Sequence, residues 1–457
     1  MRTPNWFAGE LSSRGFSSHT IEAKAHALSL CDTVLDMMSA SRAGRISVWA
    51  PGRIEVFGKH TDYAGGRSLL TAVDRGFNVR AAPRADARIR IIDPSTGNAF
   101  ETVLGREADA PDGHWSNYVA TAARRIARNF PDAHTGVDLA FVSDLPVAAG
   151  VSSSSALMIG IFLALASVNR LSDTPQWQHL LSSRPELGGY LGAMENGLSF
   201  GALEGDLGVG TLGGSQDQTA IFCAEPNRIV DFGWMPVRRL GAYALPETHC
   251  FVVASSGVVA EKSAGAREQY NRASLLVKEL VALWNVATGR SDASLAAAVE
   301  SDAGAPDALR AMIVTNPGAH FSADALRMRL DQFLLETYTL IPAAAAAFAA
   351  QDWATLGTVT ARSQQAAEAW LRNQVPETMA LVRFARERGA IAASAFGAGF
   401  GGSVWALVER AQAATFIEQW SDAYRRAFFA QGLLETFFST DAGPAAMQWS
   451  DDDAVTR

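Results

Sequence analysis

Four consecutive serines, Ser152, Ser153, Ser154 and Ser155, follow Gly150 and Val151 in the segment Leu145-Pro-Val-Ala-Ala-Gly-Val-Ser-Ser-Ser-Ser-Ala156. A strand-like run precedes them and an apolar, helix-like run follows. Backbone N–H groups at a helix N-terminus attract phosphate, and the hydroxyls can serve Mg²⁺. The same run would also do plain capping, so the segment alone leaves both readings open. Two further glycine-rich segments lie far away: Ala50-Pro-Gly-Arg-Ile-Glu-Val-Phe-Gly-Lys-His-Thr-Asp-Tyr-Ala-Gly-Gly66 and Phe396-Gly-Ala-Gly-Phe-Gly-Gly402. Gly52 to Lys59 imitates a phosphate-binding P-loop, but its glycines are separated by five residues instead of four, and His60 stands in the Ser/Thr place. Gly208-Val-Gly-Thr-Leu-Gly213 fits GxGxxG by letter, yet Glu204, Gly205 and Asp206 precede it where a hydrophobic strand is required. Both dinucleotide and P-loop fingerprints are therefore excluded.

The elements that position these segments are readable from periodicity. Residues 18–40 form an amphipathic helix with Ser17 or Ser18 as cap and Ile21, Ala25, Leu28 and Leu35 on one face. Short strands follow, among them 77–81 and 88–92, in a pattern that predicts antiparallel sheet. A helix at 117–129, a strand at 137–141 and a helix at 154–166 come next. A strand at 250–254 opens the second half, which is dominated by helical stretches at 269–286, 326–348 and 364–388. Pro342 to Ala350 is Ala-rich and reads as plain helix. The chain then passes through the third glycine-rich turn into the strand Ser-Val-Trp-Ala-Leu-Val408, and from about Met447 it is predicted to fray.

A length of 457 residues implies two or three domains at about 150 residues each. Lys and Arg number 39 against 47 Asp and Glu, a net charge of −8, so no basic excess exists to neutralise a polynucleotide. Cys31, Cys223 and Cys250 are scattered without metal-ligand spacing and read as reduced thiols. The N-terminal residues lack an apolar export region, and the longest apolar run, near Ala156 to Ala166, is shorter than the ~18 residues of a membrane span. The expectation is a cytoplasmic protein with no membrane or nucleic-acid partner.

The three glycine-rich segments, in this order and separation, resemble the three signatures of the GHMP kinase superfamily. Gly-Arg-x-x-x-x-Gly-x-His-Thr-Asp-Tyr-x-Gly-Gly narrows the resemblance to its galactokinase-like members, and Trp115-Ser-Asn-Tyr118, Gln216-Asp-Gln218 and the region around Tyr270 extend it over residues 46–408. The resemblance implies a two-domain α+β fold: a 46–245 domain like ribosomal protein S5 domain 2 and a ferredoxin-like domain at 246–446. A helical extension at 1–45 and a flexible tail at 447–457 flank them, and the active site lies in the cleft. It implies ATP and Mg²⁺ as cofactors and transfer of the γ-phosphate to the anomeric hydroxyl of galactose or a near relative. Arg53 and Asp217 match the catalytic pair, and Gly150 with Ser152, Ser153, Ser154 and Ser155 match the nucleotide loop. Ser154 matches the metal-binding serine with Glu195 as its carboxylate partner, Glu204 and Asp206 being the alternatives. His60, Asp62, Gly214 and Tyr270 match hexose-contacting positions. Monomer and dimer are both compatible with the sequence.

Position 59 departs from the family, Lys59 replacing a Glu that holds a sugar hydroxyl. A donor-only ammonium in place of an acceptor suits an acidic sugar such as galacturonate. Alternatively, Lys59 pairs with Glu55, itself in place of the usual Asn, and the two changes compensate. Ala148 replaces a loop glycine. A sugar-sensing regulator without turnover is the remaining reading; the joint presence of Arg53, Ser154 and Asp217 favours the enzyme.

Overall fold

The computed structural model describes residues 9, 11–16, 18–110, 114–145, 150–258, 264–315, 320–397, 399–429 and 436–450, without the side chains of residues 18, 19, 264–268 and 270. Ser17, Ala148 and residues 451–457 lie outside them.

The first half runs α1 (Ser18–Met37), β1 (Ile46–Phe57), β2 (Arg67–Pro83), β3 (Arg88–Ile92), β4 (Ala99–Val103), α2 (Ser116–Asn129), β5 (Val137–Ser143), α3 (Ser153–Val168), α4 (Arg184–Asn196), α5 (Gln216–Cys223), β6 (Arg228–Gly233) and β7 (Arg238–Ala244). The second runs β8 (His249–Ser255), α6 (Ala264–Thr288), α7 (Ala323–Leu335), α8 (Ile341–Ala350), α9 (Trp353–Ala366), α10 (Pro376–Glu387), β9 (Ala392–Ala395), β10 (Ser403–Glu409), α11 (Ala413–Ala427), β11 (Thr436–Thr440), β12 (Ala442–Gly443) and β13 (Met447–Ser450). Among the described residues the first sheet follows β13-β1-β2-β5-β3-β4, with β6, β7 and β12 attached through β2. The second follows β11-β8-β10-β9 and is antiparallel throughout.

Alternation of side chains explains how the second sheet is sandwiched. Val404, Ala406 and Val408 of β10 pack with Leu381, Phe416 and Trp420 of α10 and α11. Trp405 and Leu407 face the other way and join Phe348, Leu356 and the main core, as a strand with both faces covered requires. Helix α3 is buried on nearly all sides, which its uninterrupted apolar sequence dictates. It lies against β1 and β2, close enough that a Cβ on Gly160 would meet Val79 at 2.9 Å. Helix α1 covers β2 and β5 through Cys31 and Leu35, and Arg45 ties it down by pairing with Asp32 and Asp36.

Three expectations need correction. The helix at 364–388 is two helices. A π-helical turn, Ala367–Leu371, ends at Arg372 in the left-handed region, and the chain runs extended at Val375 because the following Pro376 disfavours helical backbone there. The stretch from Met447 does not fray at its start, since β13 pairs antiparallel with β1, Trp49 opposite Met447 and Ile46 opposite Ser450. The span Ala323–Ala350 is long and apolar enough by composition to cross a membrane. Here it is a core helix with a π-helical turn at Glu336–Leu340, and its Arg329, Gln332 and Glu336 bond to the 58–60 backbone.

Candidate active site

Arg53 is where the three segments meet. A Cβ on Gly52 would sit 2.8 Å from the Val151 carbonyl, so only glycine lets β1 approach the serine loop this closely. The Arg53 amide donates to that carbonyl at 3.1 Å, and its Nη1 donates to the Gly150 carbonyl at 2.7 Å. Its Nε donates to Asp217 Oδ1 at 2.8 Å, and its guanidinium lies 5.6 Å from the Phe396 ring of the third segment. The Arg53 side chain is almost wholly buried while Asp217 keeps 32% of its side-chain surface exposed. Asp217 occupies the first turn of α5, where the helix end favours an anion.

The serine loop has the shape of an anion cradle. Gly150 and Ser152 both have positive φ, 71° and 60°, and α3 begins at Ser153 with its first amides unbonded within the helix. Ser152 Oγ is buried and has no hydrogen-bond partner among the described residues. Ser155 Oγ turns inward and donates to Glu195 Oε2 at 2.8 Å, leaving the half-buried Ser154 at the loop face. Gln218 Nε2 donates to the same Glu195 oxygen at 2.6 Å. Glu195 is thus a buried carboxylate fixed beside the loop. Arg128 pairs with Asp206 at 2.9 Å and with Glu204 at 3.3 Å, which engages both alternative metal ligands elsewhere. The donor set, a serine and a carboxylate beside a phosphate cradle, suits a hard cation such as Mg²⁺.

The sugar-side residues also converge. Asp62 Oδ2 accepts from the Gln216 amide at 3.2 Å, and a Cβ on Gly214 would fall 2.3 Å from that oxygen, so Gly214 is required for the approach. Burial pushes the Asp62 carboxyl up to about 6, against the opposing pull of the Tyr63 and Gln216 amides. His60 adopts φ 57°, and its Nδ1 lies 2.8 Å from the Tyr63 hydroxyl. Burial, then the Arg329 guanidinium, lower it to about 3, so the ring is neutral at physiological pH. Tyr270 lies on α6, its side chain outside the described ones.

Lys59 departs from both expectations for it. Its ammonium is 1% exposed and donates to Ser363 Oγ at 3.0 Å and Ser394 Oγ at 2.7 Å. Ser363 in turn donates to Glu336 Oε1, which also accepts from the Gly58 amide. The lysine therefore offers no free cation to an acidic sugar, and it makes no ion pair with Glu55 among the described residues. Glu55 instead accepts from Gln216 Nε2, while its Oε1 faces Gly397 with no hydrogen-bond partner among the described residues. Burial pushes Glu55 up to about 7, with Arg53 and Lys59 opposing.

Sequence reasoning gave no roles to Gln216 and Gln218, although their place beside Asp217 was visible. Successive first-turn residues point in different directions, which is how one helix end reaches Glu55, Arg53 and Glu195. Glu336, Arg329 and Asn373 were missed altogether. They sit outside any motif and reach the 58–60 loop only through tertiary packing. Asn373 Nδ2 donates to the Gly397 carbonyl at 2.6 Å, fixing the third segment beside His60.

The galactokinase galactose-binding signature matches residues 40–83, the GHMP kinase N-terminal domain residues 117–191 and the GHMP kinase C-terminal domain residues 344–426. These matches make the chain similar to galactokinase-like members of the GHMP kinase superfamily. It is 36% identical to the galactokinase of Glaesserella parasuis over 121 residues, 26% of this chain and 31% of that relative. Matches to the first such relatives thus span about a third of their length. It is 27% identical to the galactokinase of Roseiflexus sp. over 389 residues, 84% of this chain and 88% of the relative. In fold it is similar to Lactococcus lactis galactokinase complexed with galactose, with a TM-score of 0.75, 21% identity and coverage of 92% and 98% of the two chains. It is also similar in fold to Methanococcus jannaschii mevalonate kinase, with a TM-score of 0.51, 13% identity and coverage of 88% and 99%.

Proposed function

We propose that this protein is an ATP-dependent kinase that transfers the γ-phosphate to the anomeric hydroxyl of galactose or a closely related hexose, working as a soluble cytoplasmic enzyme. The observation that carries this reading is the Arg53–Asp217 pair held against the Gly150 loop. The sugar hydroxyl attacks the γ-phosphorus, the bond to the β-phosphate oxygen breaks, and ADP leaves with the bonding electrons. Asp217 accepts the hydroxyl proton late in that displacement, when the oxygen has become acidic. Arg53 orients Asp217 and offsets charge around the attacking oxygen.

Gly150, Ser152, Ser153, Ser154 and Ser155 at the α3 N-terminus would hold the phosphates of ATP. Ser154 and Glu195 would hold Mg²⁺, which when bound offsets phosphate charge. Asp62, His60, Gly214 and Tyr270 would grip the hexose. Asp62 accepts from sugar hydroxyls, and the neutral His60 ring adds one donor or acceptor. ADP release from Mg·ATP with galactose, glucose, galacturonate and fucose, with Asp217→Ala as blank, tests this. Sugar-dependent turnover that vanishes in the blank supports it; binding without turnover across the panel would overturn it.

A further inference from the structure

Beside His60 lies a cavity of about 310 Å³ whose lining includes Arg272, Arg329, Arg372, Asn373 and Trp370, and neither Arg53 nor Asp217 contributes to it. Arg329 is 1% exposed. Its guanidinium donates to neutral acceptors, the carbonyls of His60 and Ala273 and Gln332 Oε1, and also engages the Tyr63 side chain. Arg272 stands over the Phe321 ring, and Arg372 donates to the Ala369 carbonyl. Among the described residues none of the three has a carboxylate partner. A buried guanidinium without a counter-ion is costly unless something anionic completes it. His60, held neutral, adds no charge and keeps a polar edge on the same cavity.

We infer that this cavity binds a phosphate group, held by Arg272, Arg329 and Arg372 together. Guanidinium forks match tetrahedral oxyanions in bidentate fashion, and three of them around one small cavity suit a dianion better than a monoanion. Because Arg329 also holds the His60 carbonyl, an occupant would bear on the sugar-side loop. Either inorganic phosphate or the phosphoryl group of a hexose phosphate offers this chemistry. The site stands independently of the kinase reading.

Calorimetric titration of inorganic phosphate into the full chain, at constant ionic strength made up with chloride, reads the site without nucleotide or sugar. Saturable binding is expected, weakened about tenfold or more by Arg272→Gln and by Arg372→Gln. Both side chains are exposed, so neither change threatens the fold. No saturable heat, or binding unchanged in both variants, overturns the site. A parallel titration with α-galactose 1-phosphate separates the sources. Losses in step with those for inorganic phosphate assign the site to the phosphorylated sugar as well; losses confined to inorganic phosphate assign it to the free ion. Phosphate binding without sugar phosphorylation in any assay would remove the kinase reading and leave this site in place.

Discussion

Arg53 Nε stands 2.8 Å from Asp217 Oδ1 while Nη1 of the same guanidinium holds the Gly150 carbonyl at 2.7 Å. One side chain thus couples the proposed base to the proposed phosphate loop. Asp217→Asn keeps the shape and removes the base, so kcat should fall by roughly 10²–10⁴-fold with little change in the KM for ATP. Arg53→Lys keeps the charge but cannot serve both partners with the same planar fork, and a loss of comparable order is expected. Steady-state kinetics of both variants check this; near-parental kcat in Asp217→Asn would remove it from the chemistry.

Asp62 should give the reaction an acid limb. Its carboxyl is held at about 6 by burial, so acidification through that value protonates it and removes an acceptor for sugar hydroxyls. The KM for the sugar should rise as pH falls through about 6. Asp62→Asn should raise it above about pH 6, to the level the parent reaches in acid, and abolish the inflection. Gly214→Ala, whose methyl would collide with Asp62 Oδ2, should raise the KM for the sugar and spare that for ATP.

Glu55 bears on stability. Its carboxyl moves from 4.5 to about 7 on folding, chiefly through burial. The folded state therefore holds a proton that the unfolded state releases between those values, and stability declines as pH rises across that window. Glu55→Gln should match the parent below pH 4.5 and exceed it by up to roughly 3 kcal/mol above pH 7. Urea denaturation across this range is the measurement, and equal pH slopes for the two proteins would refute it.

Lys59 is expected to govern folding more than sugar choice. Glu336 reaches its ammonium through Ser363, and Glu55 lies close enough to feel its charge. Lys59→Glu would gather three carboxylates in one buried cluster, and a loss of about 3–5 kcal/mol is expected, as for breaking a buried pair. Denaturation midpoints read this directly. A stable Lys59→Glu protein with a new sugar ranking would instead return position 59 to the specificity pocket.

Much of the site was legible along the chain because its local parts are short and stereotyped. A strand, a small-residue loop and an apolar helix in that order offer an anion cradle, and Gly52, Gly150 and Gly214 mark places where backbone must pass close or turn left-handed. The strand periodicity of residues 403–408 likewise placed β10 correctly. What the sequence could not state is which distant groups share a burial site. The ammonium of Lys59 meets Ser363 and Ser394, more than 300 positions away, and Arg329 supports His60 across 269. β13 returns to β1 from the far end of the chain. Such partners carry no local pattern, because a buried polar group is satisfied by whatever packing brings within hydrogen-bond reach. Residue types and spacing determined the chemistry available to this protein; tertiary packing decided which charges are neutralised, which are left to a ligand, and where each carboxylate titrates.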